Sequence, residues 1–181
     1  MNITLDGFLS GPNCELDWHF NTWSTEIAEA LCCQLEKADT LLFGSITYRA
    51  MANYWTSRAM DYFCPTEDRA FADMMNRYKK IVFSNTLAGT HWNNSAIAKG
   101  PVPNVVQKIK QQEGASIMVY GSSKLVASLL EHNLADEFQL WLHPVTIGCG
   151  KPLFSNMQKH LRLVSTQTFR SGVVLLIYKV E

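Results

Sequence analysis

The stretch that decides the fold is SIMVYGSSKLVASLL, residues 116–130. Its first part reads as an apolar strand and its last part as a helix with leucines one turn apart, and Gly121-Ser122-Ser123 joins the two. A helix that begins at Ser122 or Ser123 leaves backbone N–H groups unpaired and presents the positive end of its dipole. A glycine before such a helix lets a phosphate approach the backbone. The stretch therefore predicts either an anion-binding turn or an ordinary helix with a serine N-cap.

Two further strand ends carry residues of the same kind. In LLFGSITYRAM, residues 41–51, a buried strand ends at Gly44 and a helix follows directly. In VFSNTL, residues 82–87, polar side chains follow another strand, although an ordinary polar loop explains them equally well. Ligands of parallel sheets bind beyond the carboxyl ends of the strands. Two glycine turns at that edge predict a long ligand with several phosphates, and the alternative is two tight turns.

The order of the elements predicts an α/β fold. Strands and helices alternate along about the first 135 residues, which indicates a mainly parallel sheet with right-handed crossovers. A long strand is predicted over 136–148, and two strands around Ser171-Gly172 predict an antiparallel C-terminal hairpin. A length of 181 residues favours one domain, or at most a small pair, and we expect one domain over residues 1–181.

The composition excludes several classes of protein. In 181 residues, 16 lysines and arginines balance 16 aspartates and glutamates, which argues against a nucleic-acid partner. The N-terminus MNITLDG has no basic n-region, so we expect no signal peptide. No window reaches the ~18 apolar residues of a membrane span, so we expect no membrane partner.

The cysteines and histidines indicate neither a disulfide framework nor a metal site. Five cysteines occur without C-x-x-C spacing, at Cys14, Cys32, Cys33, Cys64 and Cys149. We interpret them as reduced thiols that mostly pack, which suits a cytoplasmic protein. No second histidine lies at metal-ligand spacing from His143, so we predict no metal.

The segment HPVTIGCGKPLF, residues 143–154, predicts a strand that breaks at a binding pocket. Pro144 cannot donate to a strand ladder, and Gly148 and Gly150 permit an irregular backbone. His143 can be a half-buried structural histidine or a functional one, and its lone position favours the structural interpretation.

Two carboxylates near the N-terminus are candidates for substrate chemistry. In NITLDGFL, residues 2–9, Asp6 and Gly7 interrupt an apolar strand, and ELDWHF, residues 15–20, brings Asp17 beside Trp18. A carboxylate next to an indole can bind or protonate a heteroaromatic ring. The alternatives are that Asp6 only caps the turn with Gly7 and that the second segment is a solvated loop whose indole covers the core.

Taken in order, five segments resemble the dihydrofolate reductase-like family, most closely the branch similar to the C-terminal reductase domain of riboflavin biosynthesis. The resemblance covers nearly the whole chain. It implies a three-layer α/β fold with a mostly parallel central sheet flanked by helices and an antiparallel C-terminal hairpin. The segments are ITLDGFLSG (3–11), LLFGSITYRAM (41–51), KKIVFSNTL (79–87), IMVYGSSKLVASLL (117–130) and HPVTIGCGKPLF (143–154).

The resemblance also implies a cofactor and a set of binding residues. The reductase domain of that branch reduces the ribosyl group of an aminopyrimidine with NADPH, which lies across the strand ends. The residues that would hold the cofactor are Gly44, Ser45, Ile46 and Thr47 at one helix start, Ser84 and Asn85 near the 2′-phosphate, and Tyr120, Gly121, Ser122, Ser123, Lys124 and Leu125 on the pyrophosphate and nicotinamide side. The residues that would face the substrate are Asp6, Gly7, Asp17, Trp18, Pro144 and Val145.

The chain departs from the family pattern at positions that bear on function. Ser45 and Asn85 stand where arginines that would pair with phosphate are common, so NADH is an alternative to NADPH. The position at which true dihydrofolate reductases carry an acid after their loop tryptophan is Trp23 here, which argues against authentic dihydrofolate reduction. The zinc motif of the deaminase half of the riboflavin enzyme is absent from the sequence.

We therefore expect an NAD(P)H-dependent reductase that transfers hydride to a small heterocyclic or aminopyrimidine-riboside-like substrate. The alternatives are a non-catalytic nucleotide-binding module on the same fold and a dihydrofolate reductase with weak activity. The final segment VVLLIYKV, residues 173–180, is strongly apolar, and members of this branch are often dimers. We therefore expect a homodimer with the C-terminal strands near its interface.

Overall fold

The computed structural model describes residues 1–61, 63, 65–154 and 158–181. The chain divides into two compact units. Residues Thr25–Ser128 form one of them, here called the parallel-sheet unit. Residues Met1–Ser24 and Leu129–Glu181 form the other, here called the terminal unit.

The regular elements follow one another in the order that the sequence predicts, with short additions. A 3₁₀ helix spans Asp17–Thr22, where the sequence indicates a loop. The remaining elements are β1 (Asn2–Thr4), β2 (Phe8–Ser10), α1 (Thr25–Leu35), β3 (Ala38–Gly44), α2 (Ser45–Ala59), α3 (Thr66–Arg77), β4 (Lys79–Phe83), β5 (Ser95–Ile97), α4 (Val102–Lys110), β6 (Ser116–Gly121), α5 (Ser123–Glu131), β7 (Glu137–His143), β8 (Lys151–Pro152), β9 (Leu161–Thr168) and β10 (Val174–Val180).

The parallel-sheet unit is built on four parallel strands in the order β5-β4-β3-β6. The predicted parallel sheet flanked by helices is thus confirmed. The strand β3 is apolar from Leu41 to Phe43, and all of its residues except Asp39 are buried, as expected for a strand covered on both faces. Its neighbours are β4 and β6, so the two strands that end in the predicted glycine turns are adjacent.

The helix α2 is held to this unit by one narrow face. Tyr48, Ala52 and Trp55 are spaced four and three residues apart and are all buried, whereas the residues between them are mostly exposed. The Tyr48 hydroxyl accepts a hydrogen bond of 3.0 Å from the backbone N–H of Trp92. This packing fixes where α2 begins, and therefore where its N-terminal backbone N–H groups point.

A buried lysine closes the carboxyl end of α3. Lys80 is 0 % exposed, and its ammonium donates to the carbonyl oxygens of Met75, Asn76 and Tyr78 at 2.7, 3.1 and 2.7 Å. It also lies 4.7 Å from the ring centroid of Trp92, in cation–π geometry. Burial lowers the pKa of Lys80 to about 8, which leaves the ammonium protonated at neutral pH.

The terminal unit contains the remaining strands. The order β1-β7-β10-β9 forms a second sheet, in which β1 runs parallel to β7 and β10 runs antiparallel to both β7 and β9. The C-terminal antiparallel hairpin is therefore present, but it belongs to this second sheet. The short strands β2 and β8 pair with each other in a separate two-stranded sheet.

Two expectations about strand ends have different outcomes. The N-terminal strand is interrupted where predicted, with Gly7 at φ +87° and its N–H bonded to the Thr4 carbonyl at 2.9 Å. The strand predicted over 136–148 is wrong in length, because β7 ends at His143. Pro144, which has no N–H to donate, follows that end instead of lying inside the strand.

Two further observations concern the thiols and the helices. The four cysteines that the structure describes carry free thiols, and Cys64 lies outside the described residues. Within the described ranges, no helix combines the length and the apolar composition that a bilayer crossing requires.

Candidate functional site

The predicted cofactor residues lie at the carboxyl edge of the parallel sheet. In the register of the sheet, Gly44 at the end of β3 is opposite Phe83 at the end of β4, and Phe43 is opposite Gly121 at the end of β6. The turns that follow these three strands are therefore neighbours. The sequence indicates these three strand ends one by one, and the strand order shows that they are adjacent in the sheet.

The two glycine turns are in direct contact. A Cβ atom at Gly44 would lie 2.5 Å from the Ser122 hydroxyl oxygen and 3.1 Å from the Ser122 backbone nitrogen. Gly121 has a φ of +120°, a backbone conformation that residues other than glycine rarely adopt. A Cβ atom there would lie 3.2 Å from the Thr47 hydroxyl. Gly44 is thus favoured by the close approach of Ser122 and Gly121 by its positive φ, and the two turns bring the hydroxyls of Thr47 and Ser122 to one place.

The N-termini of α2 and α5 give this place a positive potential. Gly44 is the N-cap of α2 and offers no side-chain hydrogen bond, and neither helix carries an acidic residue in its first turn. Lys124 is exposed in the first turn of α5, where a cation opposes the helix dipole. The N–H groups at the start of α2, which has no side-chain cap, together with Lys124 are a setting that attracts an anionic ligand.

The other residues predicted to hold the cofactor at these two turns offer fewer groups to a ligand. Ser45 opens α2, and Ile46 beside it is 56 % exposed, an apolar surface next to the glycine turns. Ser123 opens α5, whereas Leu125 is buried, so only its backbone can face a ligand. The Tyr120 ring stacks on Phe43 at 5.9 Å, and burial raises the pKa of its hydroxyl above the ordinary value.

The polar residues of the turn after β4 stabilise the turn itself. The Ser84 hydroxyl oxygen accepts hydrogen bonds from the backbone N–H groups of Thr86 and Leu87 at 3.1 and 3.0 Å. These contacts form the local turn that serine hydroxyls commonly stabilise. Asn85 is exposed beside it. The polar loop that the sequence leaves as an alternative is therefore present, and the Ser84 hydroxyl also lies 3.4 Å from the Thr86 hydroxyl within it.

The predicted substrate residues all lie in the terminal unit. Thr4 at the end of β1 is opposite His143 at the end of β7, and these parallel strands have their carboxyl ends side by side. The backbone N–H of Leu5 donates to the Val145 carbonyl at 2.8 Å, which joins the two segments beyond the strands. Asp6 and Gly7 thereby come next to the segment that contains Pro144 and Val145.

Asp6 is held by three donors. Its carboxylate accepts hydrogen bonds from the Thr4 hydroxyl at 2.6 Å and from the backbone N–H groups of Ile147 and Gly148 at 3.1 and 2.8 Å. The Thr4 hydroxyl and these N–H groups hold the pKa of Asp6 below its ordinary value. Asp6 is therefore ionised at neutral pH. As in the capping alternative, its carboxylate stabilises its own turn through Thr4, and it also binds the loop at Ile147 and Gly148.

The 3₁₀ helix brings Trp18 onto His143. The two rings meet edge to face at 5.2 Å with an interplanar angle of 80°. The Thr22 hydroxyl oxygen lies 2.7 Å from His143 Nδ1. Asp17 is exposed at the first residue of the helix. The donors that bind Asp6 are the Thr4 hydroxyl and the backbone N–H groups of Ile147 and Gly148, and they involve no residue of this helix.

His143, for which the sequence favours a structural interpretation, is buried at the end of β7. It is 3 % exposed, and burial, with smaller contributions from His19 and the N-terminal ammonium, lowers its pKa to about 4. Across the described ranges, no cluster of three or more His, Cys, Asp or Glu side chains could hold a metal ion.

Several solved structures share the fold of this chain. The putative riboflavin biosynthesis protein of Shewanella sp. PV-4 superposes with a TM-score of 0.74 at 16% identity, covering 100% of this chain and 96% of that one. A Thermotoga maritima protein, a diaminohydroxyphosphoribosylaminopyrimidine deaminase/5-amino-6-(5-phosphoribosylamino)uracil reductase, gives a TM-score of 0.64 at 15% identity, covering 99% of this chain and 55% of that one. At these identities the likeness is one of fold.

Sequence relatives extend over almost the whole chain. The uncharacterized protein YyaP of Bacillus subtilis is 32% identical over 178 residues, which are 97% of this chain and 90% of that protein. The model of the RibD C-terminal domain family matches residues 1–175. The resemblance that the five segments indicate is confirmed, and the chain belongs to the RibD C-terminal domain family.

Proposed function

We propose that this protein is an NAD(P)H-dependent reductase that transfers hydride to a small heterocyclic or aminopyrimidine-riboside-like substrate. One observation carries the proposal, namely the contact of Gly44 with Ser122 at the start of two neighbouring helices. It supports a site for the diphosphate of a dinucleotide, because the starts of two helices, one of them without a side-chain cap, and Lys124 favour negative charge.

The parallel-sheet unit supplies the proposed cofactor site. Backbone N–H groups at Ser45 and Ser123 would bind phosphate oxygens, and the hydroxyls of Thr47 and Ser122 would add hydrogen bonds. The cofactor supplies the hydride when bound, and the chain binds and orients it. We propose NADPH as the cofactor, as the family resemblance implies. NADH should also be accepted, because Ser45 and Asn85 stand where arginines that pair with phosphate are common in the family.

The terminal unit supplies the proposed substrate residues. Trp18 offers a ring surface and an N–H, and Pro144 and Val145 follow the end of β7. Asp17 is the exposed carboxylate that can touch a substrate amine or hydroxyl. Asp6, whose oxygens are bound by three donors, is a positioning residue that holds the loop at Ile147 and Gly148.

A nucleotide-binding module without turnover is the second candidate. The observation that favours it is the state of Asp6, since a carboxylate with a lowered pKa is a poor proton donor at neutral pH. Weak dihydrofolate reductase activity has less support, because Trp23, which is 40 % exposed, stands at the position of the expected acid. We also propose that the chain works as a single-domain homodimer in the cytoplasm.

Cofactor oxidation across two substrate classes separates these candidates. Binding of NADPH and NADH is measured first, by the fluorescence of the nicotinamide ring. Oxidation of the bound cofactor is then followed with a panel of pterins and of aminopyrimidine ribosides. Turnover with an aminopyrimidine riboside supports the proposal, and turnover with dihydrofolate alone supports the folate alternative. Tight cofactor binding with no oxidation across the panel supports the binding module, and absence of cofactor binding would refute all three.

A further inference from the structure

The side chains of Cys14 and Lys151 are in contact in the terminal unit. Lys151 Nζ donates a hydrogen bond to Cys14 Sγ across 137 positions of the chain, although a thiol sulfur is only a weak acceptor. Both residues are partly exposed, so a small solute reaches them. The contact places two nucleophilic atoms, a sulfur and an amine nitrogen, side by side. The predicted cofactor and substrate sites use neither of them.

The pairing of β2 with β8 brings Lys151 to this place. Lys151 is opposite Ser10 in the two-stranded sheet. Gly150 before it lies so close to the Ser10 carbonyl that a Cβ atom at that position would overlap the oxygen. A close backbone contact thus fixes the position of Lys151 in the sheet. Its side chain therefore starts next to the turn that follows β2.

A tight turn after β2 holds Cys14. The backbone N–H of Gly11 donates to the Glu15 carbonyl at 3.0 Å, and that of Cys14 donates to the Gly11 carbonyl at 3.1 Å. The Glu15 carboxylate accepts the backbone and side-chain N–H groups of Asn13 at 2.8 and 2.7 Å. Within this turn Cys14 has a φ of +72°, which few residues other than glycine adopt. The turn therefore determines where the sulfur lies.

We propose that Cys14 and Lys151 are a site of oxidative modification, at which a hydroperoxide induces a covalent sulfur–nitrogen bond. In the first step the Cys14 sulfur attacks the hydroperoxide, and the O–O bond breaks. The thiol is oxidised by two electrons to a sulfenic acid. The hydroperoxide is reduced to the corresponding alcohol, or to water when it is hydrogen peroxide.

In the second step the Lys151 nitrogen attacks the sulfur of the sulfenic acid. The S–N bond forms as the S–O bond breaks, and the oxygen leaves as water. Two protons leave the lysine ammonium: one combines with the departing hydroxide, and the other passes to solvent. Sulfenic acids in proteins are known to condense with nitrogen in this way. The contact in the reduced protein makes the reaction intramolecular, which favours it over attack by solutes.

The bond would join the turn that precedes the 3₁₀ helix to β8. A cross-link between distant positions restricts the unfolded chain, so the oxidised protein should melt at a higher temperature than the reduced protein. A dithiol should break the bond and restore both side chains. The inference is independent of the proposed reductase activity, because neither step involves a nicotinamide cofactor or a substrate of hydride transfer.

The test oxidises the full chain with hydrogen peroxide and maps its peptides by mass spectrometry. The variants are Cys14→Ser and Lys151→Arg, of which the second keeps the positive charge but replaces the amine by a poor nucleophile. The matched controls are Cys149→Ser, at an exposed cysteine near Lys151 in the chain, and Lys159→Arg, at another partly exposed lysine of the same unit.

We expect the wild-type protein to give two peptides joined through Cys14 and Lys151, with a loss of two hydrogens and release by dithiothreitol. Cys14→Ser and Lys151→Arg should not give this product, and both controls should give it. Dimedone, which traps sulfenic acids, should label Cys14 about tenfold more in Lys151→Arg than in the wild type, because the neighbouring amine no longer competes.

Three results would overturn the inference. One is the absence of the joined peptides from the oxidised wild-type protein. Another is a disulfide between Cys14 and a second cysteine in their place. The third is equal dimedone labelling of Cys14 in the wild type and in Lys151→Arg, which would show that Lys151 does not consume the sulfenic acid.

Discussion

Asp6 and Gly148, which are 142 residues apart in the chain, are joined by a hydrogen bond of 2.8 Å from the Gly148 N–H to the Asp6 carboxylate. The bond ties the turn after β1 to the loop after β7. Because the Thr4 hydroxyl and the Ile147 N–H share the same carboxylate, its lone pairs are largely used within the protein. Asp6 thus orders the backbone around the proposed substrate residues.

The two candidate carboxylates should respond differently to removal of their charge. We expect Asp17→Asn to lower turnover about a hundredfold or more on a genuine substrate, since a positioned acid–base group contributes roughly 10²–10⁴. Asp6→Asn should reduce turnover less and lower thermal stability more, because it weakens the bonds to the loop. Steady-state kinetics and thermal melting of both variants, with cofactor affinity as the control, check this. A hundredfold loss in Asp6→Asn without loss of stability would restore Asp6 as the catalytic carboxylate.

Reversal of charge at the start of α5 should weaken cofactor binding. Lys124→Glu replaces a cation by an anion where the dipole and the proposed phosphates lie, so we expect about a tenfold or greater rise in the dissociation constant for NADPH. Lys108→Glu makes the same change in the last turn of α4 and should leave the affinity unchanged. Fluorescence titration measures both. Equal affinities for the two variants would show that α5 does not bind the cofactor.

Discrimination between NADPH and NADH should be small. With Ser45 and Asn85 at positions where arginines would pair with the 2′-phosphate, we expect a preference below about tenfold, or roughly 1.4 kcal/mol. Ser45→Arg should raise the preference for NADPH, because a guanidinium binds phosphate through two hydrogen bonds. Titration with both cofactors tests this. A thousandfold preference in the wild-type protein would point to another cation, with Arg49 in α2 as the first to examine.

Acid should destabilise the terminal unit through His143. The pKa of its imidazole is about 4 in the folded protein and about 6.5 when unfolded, so the unfolded state binds more protons between those values. Stability is therefore unaffected by this group above pH 6.5 and falls as the pH is lowered to 4, by up to about 3 kcal/mol. The lowered pKa of His19 acts in the same direction.

Urea unfolding at pH 7 and at pH 4.5 measures the effect of His143. His143→Phe should lose less stability between these two pH values than the wild-type protein does. His160→Gln changes an exposed histidine of the same unit and should behave as the wild type. An identical loss in all three proteins would mean that other groups cause the acid sensitivity.

The homodimer should depend on β9. This edge strand of the second sheet exposes Leu163 to 48 % and Val164 to 47 %. Apolar residues on an edge strand favour a covering partner. We expect a dimer in sedimentation at micromolar concentration, and a monomer for Leu163→Glu. The same substitution at Leu5, exposed to 62 %, should leave the dimer intact. A wild-type monomer would contradict the prediction.

The parts of the fold that the sequence predicts correctly have long, regular patterns. The passages from β3 to α2 and from β6 to α5 each combine a largely apolar strand, a glycine and a helix, and both are present. The strands β5 and β8 are only three and two residues long, too short for an alternating pattern. The end of β7 was missed because Val145 and Ile147 continue the apolar alternation beyond Pro144.

The candidate site shows where local sequence patterns stop being informative. The cofactor turns are local, so the residue types at Gly44 and Gly121 could indicate them. The donors to Asp6 come from residues 141 and 142 positions away in the chain, which no pattern around Asp6 contains. The burial of His143 likewise depends on the 3₁₀ helix, which packs against it through Trp18 and Thr22.

The burial of the Lys80 ammonium makes this residue a probe for chemical labelling. All three of its hydrogens are bound by carbonyl oxygens, and the side chain is 0 % exposed. An amine acylating reagent therefore cannot reach Lys80 until the end of α3 separates from β4. The rate at which Lys80 is acylated, compared with that of the exposed lysines, then reports how often the parallel-sheet unit opens, and a bound nucleotide should slow it.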